Sequence, residues 1–99
     1  MNTYTSLEKK ILDKTAVVGV IGLGYVGLPM AIQFSRKGFN VIGLDSSKKR
    51  IARLKKGESY IGDMKDEDIA EASSTGKFSV TANNKALSKC DVIIICVPT

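Results

Sequence analysis

The run AVVGVIGLGYVGLPMAIQF, residues 16 to 34, changes character twice within a few positions. Ala16 to Ile21 hold five Ala, Val or Ile residues and no charge, which reads as a strand. Continuous rather than alternating apolarity implies cover on both faces, as in a parallel sheet between helix layers. From Tyr25 to about Lys37 the period becomes helical, with Leu28, Ala31, Ile32 and Ser35 on one face and Gln33, Arg36 and Lys37 toward water. Between the two regular elements stand Gly22, Gly24 and Gly27, so the junction must either turn sharply or let something approach its backbone.

The remaining chain repeats this alternation. Residues 5 to 14 carry Leu7, Ile11 and Leu12 at a spacing that suits a short amphipathic helix packed on the domain, with Thr5 or Ser6 able to cap it. If the next helix starts at Val26, Pro29 is its fourth residue, the last whose N–H lacks an intrahelical partner. Gly38 ends that helix. FNVIGLD is a second strand closing on Asp45, and SSKKRIARLKKG a second helix, capped by Ser46 or Ser47, with Ile51 and Leu54 inward and Gly57 as terminator. ESYIGDM reads as a loop, and KDEDIAEASSTG as a helix whose acidic start complements its dipole. KFSVTA is a strand, NNKALSKC a helical turn and DVIIICV the most apolar strand. The predicted fold class is α/β, a Rossmann-type doubly wound parallel sheet with helices on both faces, truncated after its fourth strand. Residues 1–15 form an N-terminal arm and residues 16–99 the incomplete sheet domain.

Composition narrows the function classes. The formal charge of +5 comes from 15 basic against 10 acidic residues, scattered as EKK, SRK, SKKR and LKK among acids. Without a long basic run or interleaved aromatics, a nucleic-acid partner is not expected. With no histidine and no CxxC, a metal site lacks ligands. Cys96 reads as a small buried hydrophobe. If residues 92 to 97 form one strand, it is held too far from Cys90 for a disulfide. No signal-like or membrane-spanning apolar run appears, so no membrane partner is expected and the cytoplasm is the default setting.

Gly22-Leu23-Gly24-Tyr25-Val26-Gly27 is a GxGxxG whose context is right: a strand before it, a helix after it, and the acid Asp45, 23 residues beyond Gly22, ending the next strand. Gly22 allows the turn, Gly24 lets a pyrophosphate reach the backbone, and Gly27 lets the helix pack on the strand. The helix start offers free N–H groups and partial positive charge. Asp45 is placed to accept the adenosine ribose hydroxyls and to repel a 2′-phosphate, which favours NAD over NADP; its plainer reading is a helix cap. Arg50, one turn into the next helix, reads equally as an adenine or ribose contact and as an exposed member of SKKR. Tyr25 faces the cofactor at the helix start. Val97, Pro98 and Thr99 lie at the carboxyl end of a strand, the edge where open sheets bind ligands.

The residues VGVIGLGYVGLPMAIQFSRKGFNVIGLD and the closing CDVIIICVPT resemble the N-terminal domain of the UDP-glucose/GDP-mannose dehydrogenase family, over nearly the whole chain. ILDKTA, GESYIGDM and STGKFSVTAN look most like its UDP-N-acetylglucosamine 6-dehydrogenase branch. The resemblance implies NAD-dependent oxidation of a nucleotide sugar's C6 hydroxymethyl to a carboxylate, with two NAD reduced and a cysteine thioester between the steps. It implies that Gly22, Leu23, Gly24, Tyr25, Val26 and Gly27 hold the pyrophosphate, Asp45 the ribose and Arg50 the adenine side, with Val97, Pro98 and Thr99 beside the nicotinamide. It places no catalytic residue here: the nucleophilic cysteine belongs to a later glycine-flanked motif that neither Cys90 nor Cys96 matches. The nucleotide sugar is expected to bind regions absent from this chain, and the full-length protein to be a homo-oligomer.

Two other readings share the glycine turn. One is another Rossmann NAD-dependent dehydrogenase, of hydroxyacid or 6-phosphogluconate type, which lacks the Tyr-Val-Gly-Leu-Pro continuation. The other is a non-catalytic NAD-sensing regulatory module of the kind that controls ion transport.

Overall fold

The computed structural model describes residues 3–62 and 64–96. The elements follow the order α1 (Thr3–Leu12), β1 (Val17–Ile21), α2 (Gly27–Arg36), β2 (Asn40–Leu44), α3 (Lys48–Lys55), α4 (Asp66–Ser74), β3 (Phe78–Thr81), a 3₁₀ turn (Asn84–Lys89) and β4 (Val92–Ile95). The four strands form one parallel sheet in the order β3-β2-β1-β4. The chain moves outward from β1 to β3 and then crosses back to the opposite side of β1. This is the strand arrangement of a Rossmann half with one further strand, as the alternation of elements predicts. No helix among the described residues is long and apolar enough to cross a membrane.

Register divides the sheet into two unequal faces. Aligned residues on parallel strands point the same way, so Phe78, Val41, Val18 and Val92 form one row and Val80, Gly43, Val20 and Ile94 the next on the same face. Leu28, Ala31 and Ile32 of α2, Ile51 and Leu54 of α3, and Ile69 and Ala72 of α4 pack with these rows into one core. The inward stripes read from helical spacing are therefore the ones used.

The opposite face is covered unevenly, with Leu44 and Gly19 buried and the β4 residues bare. Ile93 and Ile95 of β4 are 45% and 67% exposed, while their strand neighbours Val92 and Ile94 are half-buried. An unbroken apolar sequence here gives alternating burial, because β4 is the outermost described strand on its side and only one of its faces meets helices. Cover on both faces, expected from the apolar runs, is present along the middle of β1 and missing on β4.

The element ends follow local chemistry. Val26 caps α2 without a side-chain hydrogen bond, so helix α2 starts at Gly27 and Pro29 is its third residue, one position earlier than expected but still where no N–H is needed. Of the two candidate serines, Ser47 caps α3, its Oγ accepting the Arg50 N–H at 3.3 Å. Before α4, the Lys65 N–H donates to the Asp68 carboxylate at 3.0 Å. The arm differs from expectation. Helix α1 begins at Thr3, so Thr5 and Ser6 lie inside it rather than capping it, and Ile11 and Leu12 are exposed instead of packed on the domain. The helix is tied down at its C-terminal end, where the Lys10 ammonium meets Asp91 at 3.0 Å and the Lys10 carbonyl accepts from Thr15 and Ala16.

Candidate functional site

A cleft of about 630 Å³ opens at the carboxyl ends of β1 and β2, walled by the glycine turn, the start of α2, Asp45, Ser46 and Arg50. The three glycines of its floor differ in what a side chain would meet. At Gly22 the backbone is left-handed, φ +92°, and a Cβ would lie 1.9 Å from the Cys96 carbonyl oxygen. At Gly27 a Cβ would lie 1.8 Å from the Gly22 carbonyl oxygen, so close packing of α2 on the turn depends on its absence. At Gly24 the nearest atom would be the Arg50 guanidinium, 3.9 Å away, and φ is not positive. The fold itself makes no demand for glycine at position 24. What remains is the open space above it.

That space is lined by donors. Among the described residues, the N–H groups of Gly24, Tyr25, Val26 and Gly27 meet no protein acceptor. The first turn of α2 holds no acid. A helix start of this kind favours anions through its free amides and dipole. Tyr25 and Val26 are strongly exposed, line the cleft and leave the turn accessible.

Leu23 corrects one expectation. Its side chain is fully buried in the core, its N–H donates to Asp45 Oδ2 at 3.0 Å, and its carbonyl accepts from the Tyr60 hydroxyl at 2.6 Å. Every group it could offer a ligand is already used, so it supports the turn from behind and does not line the cleft.

Asp45 sits at the cleft's inner end with its side chain 8% exposed. Its Oδ1 accepts the Ser47 N–H at 2.8 Å, while Oδ2 accepts the Leu23 N–H at 3.0 Å and Arg50 Nη1 at 3.2 Å. Burial alone would raise its pKa, but hydrogen bonds from Ser47, Leu23 and Arg50, with the Arg50 charge, outweigh it and hold the carboxyl below its usual range. The acid is therefore ionised at neutral pH. Its plainer role as a cap falls to Ser47. Asp45 instead braces the start of α3 and the glycine turn together, and one of about four lone-pair positions on its carboxylate stays free.

Several wall residues carried no signal in the sequence. Cys96, expected to be a plain buried hydrophobe, is half-buried and forms part of the wall; its N–H donates to the Ile21 carbonyl at 2.8 Å. Ala82 and Asn84, just past β3, complete the wall. The rule that open sheets bind ligands at their carboxyl edge would have pointed to them. Val97, Pro98 and Thr99 lie outside the described residues.

Comparison with known proteins agrees with this geometry. Residues 16–99 match the model of the UDP-glucose/GDP-mannose dehydrogenase family, NAD binding domain. The chain is 43% identical over 86 residues to UDP-N-acetyl-D-glucosamine 6-dehydrogenase of Pseudomonas aeruginosa, an alignment covering 87% of this chain and 19% of that protein. It is 39% identical over 83 residues to UDP-N-acetyl-D-mannosamine dehydrogenase of Pyrococcus horikoshii, covering 83% and 20%. Among solved structures, GDP-mannose dehydrogenase of Pseudomonas aeruginosa, in a ternary complex, superposes with a TM-score of 0.75 at 36% identity, covering 83% of this chain and 19% of that one. The chain thus spans about a fifth of the length of the relatives it matches. A GLGYVGLP turn on a β3-β2-β1-β4 parallel sheet, matched in sequence and in shape, places the chain in the UDP-glucose/GDP-mannose dehydrogenase family, as part of its NAD-binding domain.

Proposed function

We propose that the cleft at the end of β1 holds the adenosine diphosphate half of NAD for a nucleotide-sugar 6-dehydrogenase. The observation that carries this reading is the open approach to Gly24, a glycine with no internal reason to be one, beside four amides that meet no protein acceptor among the described residues. The diphosphate would lie against Gly24, Tyr25, Val26 and Gly27, and the ribose hydroxyls against the free edge of Asp45. Arg50, whose charge is half-exposed over the same carboxylate, stands there on the adenine side of the cleft. Because Asp45 is held ionised, a 2′-phosphate would be repelled, and NADP should bind more weakly than NAD.

The reaction we assign to the whole protein turns a C6 hydroxymethyl and one water into a carboxylate, two hydrides and three protons. NAD supplies the hydride acceptor, twice per sugar. The residues of this chain bind and orient that acceptor; the nucleophile and the sugar site belong to other regions. Val97, Pro98 and Thr99 are proposed to line the nicotinamide side, since they follow β4 at the ligand-binding edge. Among nucleotide sugars we favour UDP-N-acetylglucosamine, supported by the 43% identity to the Pseudomonas aeruginosa enzyme of that name. A cytoplasmic homo-oligomer is the form proposed for the full chain.

The test is Gly24→Val in the full chain, followed by calorimetry with NAD and by circular dichroism. Binding should fall at least about a hundredfold, the cost of a side chain in the pyrophosphate's place, with the spectrum unchanged. Gly27→Val is the contrast, because its Cβ would strike the Gly22 carbonyl and disturb the fold. Full NAD affinity in folded Gly24→Val would refute the cleft assignment. Turnover compared across UDP-N-acetylglucosamine, UDP-N-acetylmannosamine and GDP-mannose decides the sugar.

A further inference from the structure

Tyr60 lies in the loop between α3 and α4, far in sequence from the glycine turn, yet it closes a circuit around the cleft's inner wall. Its hydroxyl donates to the Leu23 carbonyl at 2.6 Å, the Leu23 N–H donates to Asp45 Oδ2 at 3.0 Å, and Arg50 Nη1 donates to the same oxygen at 3.2 Å. The circuit is completed by the Arg50 guanidinium carbon, 5.4 Å from the Tyr60 ring centroid. Arg53 flanks the ring at 5.9 Å and donates to the Ser59 carbonyl at 2.8 Å, which fixes the loop that presents the tyrosine. Three separate chain segments are thereby locked to one carboxylate.

We propose that Tyr60 is a positioning residue for the adenosine subsite, its hydroxyl setting the glycine turn and its ring holding Arg50 over Asp45. The inference rests on the cofactor reading above and adds to it a residue that touches no part of the ligand. Simple packing does not account for the arrangement. A phenylalanine would fill the same half-buried position, whereas the hydroxyl is spent on the Leu23 carbonyl in the middle of the glycine turn. Burial, with the nearby Asp45 charge, pushes the phenol up to about 12 against the opposing arginines, so the group stays a donor throughout the neutral range. The ring face supplies a cation–π surface that limits where the long Arg50 side chain can rest. A guanidinium already in place loses less freedom when a ligand arrives, and affinity rises by that difference.

The experiment measures ADP-ribose affinity of the full chain by calorimetry, for wild type, Tyr60→Phe, Tyr60→Leu, Arg50→Ala and Arg50→Ala combined with each Tyr60 change. ADP-ribose carries the adenosine, the diphosphate and no nicotinamide. Tyr60→Phe should weaken binding through the freed Leu23 carbonyl. Tyr60→Leu should weaken it by about a further threefold through loss of the ring under Arg50. That Phe-to-Leu difference should vanish in the Arg50→Ala background, which a merely structural tyrosine would not produce. Wild-type affinity in both tyrosine variants, or an equal Phe-to-Leu difference with and without Arg50, overturns the proposal while leaving the cofactor reading intact. Should Tyr60→Leu fail to fold, Tyr60→Phe decides alone, and unchanged affinity there overturns it. A wild type that ignores ADP-ribose refutes the cofactor reading and this one together.

Discussion

At Asp45 a single carboxylate braces the glycine turn and the start of α3, and it is the group proposed to receive a ribose. Its pKa is depressed, so its stabilising hydrogen bonds are fully present above the unfolded value near 4 and are lost as pH falls through the lower folded value. Asp45→Asn should accordingly be less stable than wild type at pH 7 by about 1–2 kcal/mol. That deficit should shrink once the pH drops below about 4. Denaturant midpoints at pH 7 and pH 3 measure both. The comparison between variants is needed because Asp68 and Asp91 shift in the same direction and add to the acid sensitivity of the wild type. The steric reasons for Gly22 and Gly27 were readable from the glycine spacing, since each answers to a different demand of the turn. Leu23 and Tyr60 were not. Whether a residue inside a tight turn points out or in has no periodic signature, and the Tyr60–Leu23 contact joins positions 37 apart.

Strands and helices on the covered side of the sheet follow their sequence patterns closely, because α2, α3 and α4 each bury one stripe and the apolar spacing records it. The elements that depart from expectation are those without a partner. The spacing of Leu7, Ile11 and Leu12 signals an amphipathic helix but says nothing about what it packs against, and α1 leaves Ile11 and Leu12 in water. Six consecutive apolar residues after Asp91 likewise predict a strand and not its half-bare state. Asp91 is the hinge between these two elements. Its Oδ2 accepts the Val17 N–H at 2.8 Å at the start of β1, and its Oδ1 takes Lys10 from α1. Asp91→Ala should therefore lower stability by about 1–2 kcal/mol, since it strands a half-buried backbone donor. Lys10→Ala, which breaks only the exposed ion pair, should cost less than about 1 kcal/mol. Chemical denaturation of the two variants separates the contributions.

Among the described residues, the bare part of the sheet is concentrated on β4. Ile93 and Ile95 present an apolar strip on an outer strand that carries neither charge nor bulge, the kind of edge that pairs with other chains. Expressed as these 99 residues, the protein should associate increasingly with concentration, and Ile93→Lys with Ile95→Lys should shift it toward monomer in sedimentation velocity. Concentration-independent monomer for the unaltered chain would contradict this. The position of Cys96 above Gly22 has a consequence during synthesis. The turn that would grip a diphosphate emerges early from the ribosome, but the Cys96 backbone packed against it is made roughly 4–15 s later at ordinary elongation rates. Until then the nascent turn lacks one of its supports, so the complete proposed site forms only once translation delivers β4.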